Sequence, residues 1–156
     1  MTSNLRLILT TLFAMFLGVF FLLYLDEGTL FLATVLLAVV AIKQINSKIE
    51  ADENFDTSKI SINIVIGLWF SLSIAPAFSV ELQDLLTLSN GFIVQAILSS
   101  ALFAVYFKSD ISVIGKIKTR VKGGVGIIVS ALIAGAAAGI TSSALWQVYL
   151  NIAKVL

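Results

Sequence analysis

The chain has 156 residues, of which 59% are hydrophobic and only 12% are charged, and its formal net charge is +1. This composition differs strongly from that of a soluble globular protein, so we expect one domain embedded in a lipid bilayer, without a nucleic-acid partner. There is no cysteine and no histidine, which excludes disulfides, thiolate zinc sites, cysteine nucleophiles and the commonest general base.

Five apolar segments follow one another along the chain, each close to the roughly 20 residues that a helix needs to cross hydrocarbon. Backbone polar groups in lipid must be satisfied within the segment, so the prediction is an all-α, polytopic membrane helix bundle. The first segment is too long for the core of a secretion signal and is predicted to be a retained span. The predicted spans are residues 5–25, 29–46, 60–80, 90–108 and 124–153.

The basic residues predict an orientation. With five spans, nine of the ten Lys and Arg residues fall on one side of the membrane, and Lys154 is the exception. Cations concentrate in cytoplasmic loops, so we expect a cytoplasmic N-terminus. The cations on the predicted cytoplasmic side are Arg6, Lys43, Lys48, Lys59, Lys108, Lys116, Lys118, Arg120 and Lys122.

The two predicted cytoplasmic loops differ in charge. Residues 50–56 are acidic. They favour a solvated helix end or turn over the alternative of a cation-binding cluster, since their spacing does not match a calcium loop. Residues 111–122 alternate apolar and basic side chains. They suit a short amphipathic helix on anionic lipid, although the positive-inside bias alone also accounts for the charges.

Aromatic residues and a single proline mark features of the spans. Pro76 predicts a kink or an end in the third span. Trp69 is expected in the core, whereas Trp146 and Tyr149 suit an aromatic belt at the outer interface. Leucines within residues 81–89 predict an interfacial turn on the outer side.

The fifth span is rich in small side chains at a spacing of four residues. Such stripes let helix backbones approach closely, so this helix is expected at the centre of the bundle or at a contact with another subunit. The residues assigned to this packing role are Ser130, Ala131, Ala134, Gly135, Ala138 and Gly139.

The start of the fifth span, GGVGIIVSALIAG at residues 123–135, resembles a motif of the bacterial phosphatidylglycerophosphatase A family, GG-x-G-I-x-x-D-D-x-x-A-G. Six residues match this motif, whereas the two acids are replaced by Ser130 and Ala131. The matching residues are Gly123, Gly124, Gly126, Ile127, Ala134 and Gly135.

Two further segments add to the resemblance. Gly67, Trp69 and Pro76 fit a D-E-x-x-G-x-W segment with a later proline, but its acidic pair is replaced by Asn63 and Ile64. A third segment, F-R-x-x-D-x-x-K-P, retains Phe103 and has Phe107 in place of its aspartate. The glycine-threonine motif of the family before its first span has no counterpart here.

The resemblance implies a magnesium-dependent lipid phosphatase that acts on phosphatidylglycerophosphate at the cytoplasmic face. It also implies a location in the cytoplasmic membrane of a bacterium. Magnesium is held by carboxylates, which neutralise the phosphoryl charge. All five corresponding positions are neutral here, so we predict a pseudoenzyme without a metal or cofactor, and magnesium enters only if the chain is an active phosphatase. The vestigial positions are Asn63, Ile64, Phe107, Ser130 and Ala131.

Four functions therefore stay open. The preferred one is a non-catalytic subunit or scaffold, which binds another transmembrane protein or itself through the small-residue stripe. The second is binding of anionic phospholipid at the start of the fifth span, where the helix dipole favours an anion. The others are an active phosphatase and a small channel or holin-like protein. The residues assigned to anion binding are Lys116, Lys118, Arg120, Lys122, Gly123, Gly124 and Gly126.

Overall fold

The structure is a computed structural model, and the parts of the chain that it describes are residues 3–52, 54–57, 60–75, 90–109, 116–117 and 120–154. Within these ranges the regular structure is helical and includes no strand, which confirms the all-α prediction. The long helices are α1 (Ser3–Tyr24), α2 (Glu27–Ala51), α3 (Ile62–Ile74), α4 (Asn90–Lys108) and α5 (Gly123–Ala153).

Three of these helices, α1, α2 and α5, are long and apolar enough to cross a membrane, which is the character of a membrane protein. They contain 22, 25 and 31 residues, or about 33 to 46 Å at 1.5 Å per residue. The described parts of α3 and α4 are apolar but shorter, with 13 and 19 residues. Pro76 and residues 81–89 lie outside the described residues.

Side chains in the flanking turns define both ends of α2. The backbone N–H of Thr29 donates to the Asp26 carboxylate at 2.5 Å, and this hydrogen bond holds the pKa of Asp26 below its usual value. At the other end Asp52 is the C-cap, and its carboxylate accepts from the N–H of Asn54. The start of the acidic stretch is therefore a helix end and a turn.

Hydrogen bonds between helices establish how they are arranged. Arg6 Nε donates to Ser61 Oγ at 2.9 Å, and the N–H of Gly124 donates to Asn46 Oδ1 at 2.7 Å. The starts of α1, α3 and α5 and the end of α2 therefore lie at one end of the bundle, which we call the first end. Helix α4 runs opposite to α3, because Gln95 hydrogen-bonds to Ala75 at the far end of α3.

The outside of the bundle is covered with bulky apolar side chains, whereas its interior mixes apolar and polar side chains. Phe13, Phe16 and Leu36 are 62%, 70% and 67% exposed, whereas Ser99 and Ser130 are fully buried. Water would penalise this distribution, because large apolar side chains normally form the interior of a soluble protein. Hydrocarbon tolerates it, since lipid tails cover the outside while small residues allow close helix packing.

Helices α3 and α5 run in parallel with backbones almost in contact. A Cβ atom added to Gly67 would lie 2.6 Å from the Ala131 carbonyl oxygen, and one added to Gly135 would overlap the Gly67 carbonyl oxygen. One turn further, a Cβ on Gly139 would lie 2.8 Å from the Ser71 carbonyl oxygen. The stripe of α5 is therefore packed within this chain, and α3 contributes a matching row that the sequence analysis did not single out.

We expect Gly135→Ala to lower the free energy of unfolding by about 2–4 kcal/mol, because the new methyl group must force α3 and α5 apart. The matched control is Gly28→Ala, whose Cβ would meet only the Asp26 carboxylate, at 3.3 Å. Unfolding in mixed detergent–SDS micelles measures both variants. Equal stability of the two would contradict the close approach.

Candidate functional site

The three segments that carry the family resemblance meet in space. Gly67 of α3 lies against Ala131 of α5, and a Cβ added to Gly67 would lie 2.5 Å from Cε2 of Phe103 in α4. The positions that correspond to acids in the motifs quoted above lie at this junction or about one helical turn from it. The residues around it therefore determine what chemistry the junction can support.

The two neutral polar residues of this junction form hydrogen bonds within their own helices. Asn63 is 7% exposed, and its Oδ1 accepts from the N–H of Ile64 at 3.0 Å. Ser130 is fully buried, and its hydroxyl donates to the Ile127 carbonyl at 2.8 Å. These contacts serve α3 and α5 individually, and they do not form a shared set of ligands.

The other positions of the junction are filled with hydrocarbon. Ile64 belongs to a buried apolar cluster that also contains Trp69 and Phe103, and Phe107 packs against it. The rings of Phe103 and Phe107 lie 5.4 Å apart between centroids. Ala131 is fully buried. Where a phosphatase would need anionic side chains and space for a metal, this chain has a packed core.

The described residues include no group of three or more His, Cys, Asp or Glu side chains that could hold a metal ion. The N–H of Asp52 caps α2 by donating to the Lys48 carbonyl, and the Asp52 carboxylate accepts from the N–H of Asn54. Glu53 and Asp110 lie outside the described residues.

Asn46 interacts with the glycine frame at the start of α5. Gly123 has a φ of 76°, and a Cβ there would lie 2.7 Å from Asn46 Oδ1. The same oxygen accepts from the Gly124 N–H. The Asn46 carboxamide therefore occupies a position from which an anion would approach, and it satisfies one of the backbone donors that the anion prediction used.

The basic residues near this start are exposed. Lys116, Arg120 and Lys122 all face solvent, and Lys122 is the N-cap residue of α5. The N–H of Val121 donates to the Ile117 carbonyl at 2.9 Å. Lys118 lies outside the described residues. The cations form a surface at the first end and are not part of the buried junction.

A second polar cluster, which the sequence analysis did not identify, lies where α3 ends. We call it the polar layer: the side chains of Gln95, Ser99, Ser142 and Ser143 together with the carbonyl oxygen of Ala75. Its one sequence signal is a glutamine within an otherwise apolar span, because lone serines are common in membrane helices.

Comparison with known proteins gives no match to a family model, a curated protein or a solved structure. The likeness to the phosphatase family therefore depends on the residues quoted above. The geometry adds that Gly67, Phe103 and Ala131, one from each of the three segments, lie together.

We expect Asn46→Ala to destabilise the protein by about 1 kcal/mol, because the Gly124 N–H in the first turn of α5 loses its side-chain acceptor. Asn46→Asp should retain or increase stability, since a carboxylate also accepts this hydrogen bond and interacts favourably with the helix dipole. Thermal unfolding in detergent measures both. Asn151→Ala, at an exposed position of α5, is the control, and an equal loss in Asn151→Ala and Asn46→Ala would contradict a capping role.

Proposed function

We propose that this protein is a non-catalytic integral membrane protein, similar to phosphatidylglycerophosphatase A, that acts as a subunit or scaffold of a membrane complex. The observation that carries the proposal is the filled junction of α3, α4 and α5. Ile64, Phe107 and Ala131 take the places of acids, and their side chains pack in or against the apolar core. The packing frame is retained while the groups for phosphoryl transfer are not.

Physical chemistry supports a loss of catalysis over a rebuilt site. Hydrolysis of a phosphomonoester requires positive charge against the phosphoryl oxygens, and a metal dication in turn requires carboxylate ligands. Ionisable residues within spans are costly and are normally retained for function. Their replacement by isoleucine, phenylalanine and alanine removes that cost together with the activity.

The partner of such a scaffold has to contact an outward face. The small-residue stripe of α5 is covered by α3, since Gly135 and Gly139 both contact α3 backbone. Of the three long helices α1 is the least covered. It presents a row of large side chains at alternating spacings of four and three residues, which is the spacing of a helix–helix seam. The side chains of this row are 49% to 70% exposed. The row consists of Leu9, Phe13, Phe16, Phe20 and Leu23.

The test is native mass spectrometry of the protein extracted gently from its own membrane. We expect an intact complex whose mass contains a second transmembrane chain in a fixed ratio. Alanine at Phe13, Phe16 and Phe20 should release that chain, because these rings supply the contact area. The matched control replaces three exposed residues of α2, Leu32, Leu36 and Val39, by alanine. A wild-type protein that always appears as a monomer argues against the scaffold.

Binding of anionic phospholipid is a second candidate role, and the exposed cations at the first end favour it. Lys and Arg near an anionic membrane surface each contribute about 1 kcal/mol of attraction. We expect the charge-reversing pair Arg120→Glu and Lys122→Glu to lose bound anionic phospholipid in native mass spectra. The Lys154→Glu variant, at the opposite end of α5, is the control. Unchanged lipid binding in the charge-reversed pair would exclude this role.

The purified protein should release no phosphate from phosphatidylglycerophosphate above background, with or without magnesium. The reason is the absence of acids at the junction, and a phosphate-release assay in detergent micelles measures it. Magnesium-dependent release that survives further purification would establish the alternative, an active phosphatase.

The proposed orientation places the first end in the cytoplasm. Because the chain contains no cysteine, single cysteines report the side directly. The thiol of Lys48→Cys should react with a membrane-impermeant maleimide in inside-out vesicles, and that of Lys154→Cys in intact spheroplasts, since both positions are exposed. The reverse labelling pattern would show that the first end lies outside the cytoplasm.

A further inference from the structure

The outward face of α1 carries a concentration of exposed aromatic rings. Among the described residues, the phenylalanines that are more than half exposed are Phe13, Phe16 and Phe20, at 62%, 70% and 55%. The most exposed large side chains of α2 and α4 are aliphatic instead, as Leu36 and Val105 show. A helix that packs on α1 therefore meets aromatic rings at the centre of the contact.

This aromatic face points away from the bundle of its own chain. Leu9 and Leu23 extend the three rings into a row with spacings of four, three, four and three residues, which we call the α1 row. Ala14 and Gly18 lie on the opposite side of the helix. Trp69 Nε1 donates to the Ala14 carbonyl, and a Cβ added to Gly18 would lie 3.1 Å from the Trp69 ring. The contacts of α1 with α3 thus leave the α1 row facing outward.

The pattern of the α1 row fits a second α1 helix. Its spacing is that of a left-handed helix pair. Copies of one chain insert in one orientation, so two α1 helices related by a two-fold axis meet in parallel, with each residue of the row close to its own counterpart. The rings of Phe13, Phe16 and Phe20 then lie against rings. Lipid tails also cover apolar side chains, but they form no aromatic pairs, which gain more than area burial alone.

The area of the α1 row is sufficient for a dimer. A fully buried phenylalanine covers about 150–250 Å², so the exposed fractions of the three rings correspond to about 370 Å² per copy. Leu9 and Leu23, which are 49% and 50% exposed, raise this area to roughly 550 Å². Two copies together bury about 1,100 Å², which exceeds the roughly 1,000 Å² expected of a specific interface.

We propose that the partner of the α1 row is a second copy of this chain, in a parallel dimer whose two-fold axis runs along the membrane normal. This inference rests on the proposed scaffold role and identifies its transmembrane partner. The row consists of apolar side chains alone, so the dimer forms without placing like charges opposite each other. Each bundle lies behind its own α1, to which Trp69 attaches it.

Disulfide cross-linking in the native membrane tests the contact, because the chain contains no cysteine of its own. The variants Leu9→Cys, Phe16→Cys and Leu23→Cys place single thiols one heptad apart along the α1 row. We expect each variant to form a dimer of twice the chain mass on oxidation with iodine. The matched control is Leu36→Cys on α2, which is 67% exposed and should stay monomeric. Equal cross-linking of the control, or none along the row, would overturn the dimer.

Energy transfer between purified chains in phosphatidylcholine vesicles measures self-association without any other protein. Donor and acceptor dyes are attached to Lys154→Cys, an exposed position at the end of α5. Combined alanine substitution of Phe13, Phe16 and Phe20 should weaken association about tenfold or more, because central aromatic side chains dominate interface energies. The matched variant with alanine at Leu32, Leu36 and Val39 should associate as the wild type does.

The outcomes separate this inference from the scaffold role. A purified chain that stays monomeric, while the complex extracted from the native membrane contains a different transmembrane chain, overturns the dimer and leaves the scaffold role intact. Association that persists unchanged in the phenylalanine variant also overturns the α1 contact. Monomers in both preparations, with only lipid on α1, overturn the dimer and the scaffold role together.

Discussion

The close approach of α3 and α5 is the constraint on which the rest of the bundle depends. Glycines at 67 and 135 let one backbone pass directly over the other, and an added methyl group at either would collide with main-chain atoms. Helix α3 then holds α1, because Trp69 Nε1 donates to the Ala14 carbonyl at 2.9 Å. Van der Waals contact between backbones replaces the hydrophobic force that lipid cannot supply.

The same packing fills the junction where the resembled motifs carry acids. A metal-dependent phosphatase needs an open, charged space between helices, whereas here Phe103 fills the space beside Gly67. Polar side chains also lie inside the bundle. Among the described residues most of them hydrogen-bond to their own helix or to a neighbouring helix, whereas the buried hydroxyls of Thr11 and Ser71 have no such partner. A scaffold benefits from such an interior, because a rigid bundle can present its outward faces in a fixed arrangement.

Much of this fold follows from the sequence. Apolar segments of sufficient length predict α1, α2 and α5, and the observed bounds of α4 and α5 lie within one residue of the predicted ones. Only one of the two facing rows was recognised from the sequence. Helix α5 carries glycines and alanines, whereas the row on α3 consists of Gly67 and Ser71, which do not form an evident small-residue pattern. The roles of Asn46 and Gln95 were not predicted, because their hydrogen-bond partners are distant in sequence. A local sequence pattern does not indicate which carbonyl or N–H group a side-chain carboxamide will bond to.

The bond from Gly124 to Asn46 joins residues 78 positions apart, and this has a consequence for biogenesis. The final helix emerges from the ribosome long after α2, so its first turn acquires a partner only when α2 is already seated in the bilayer. Correct insertion of α5 therefore depends on prior insertion of α2. A defect in early membrane integration would appear as a misplaced C-terminal helix.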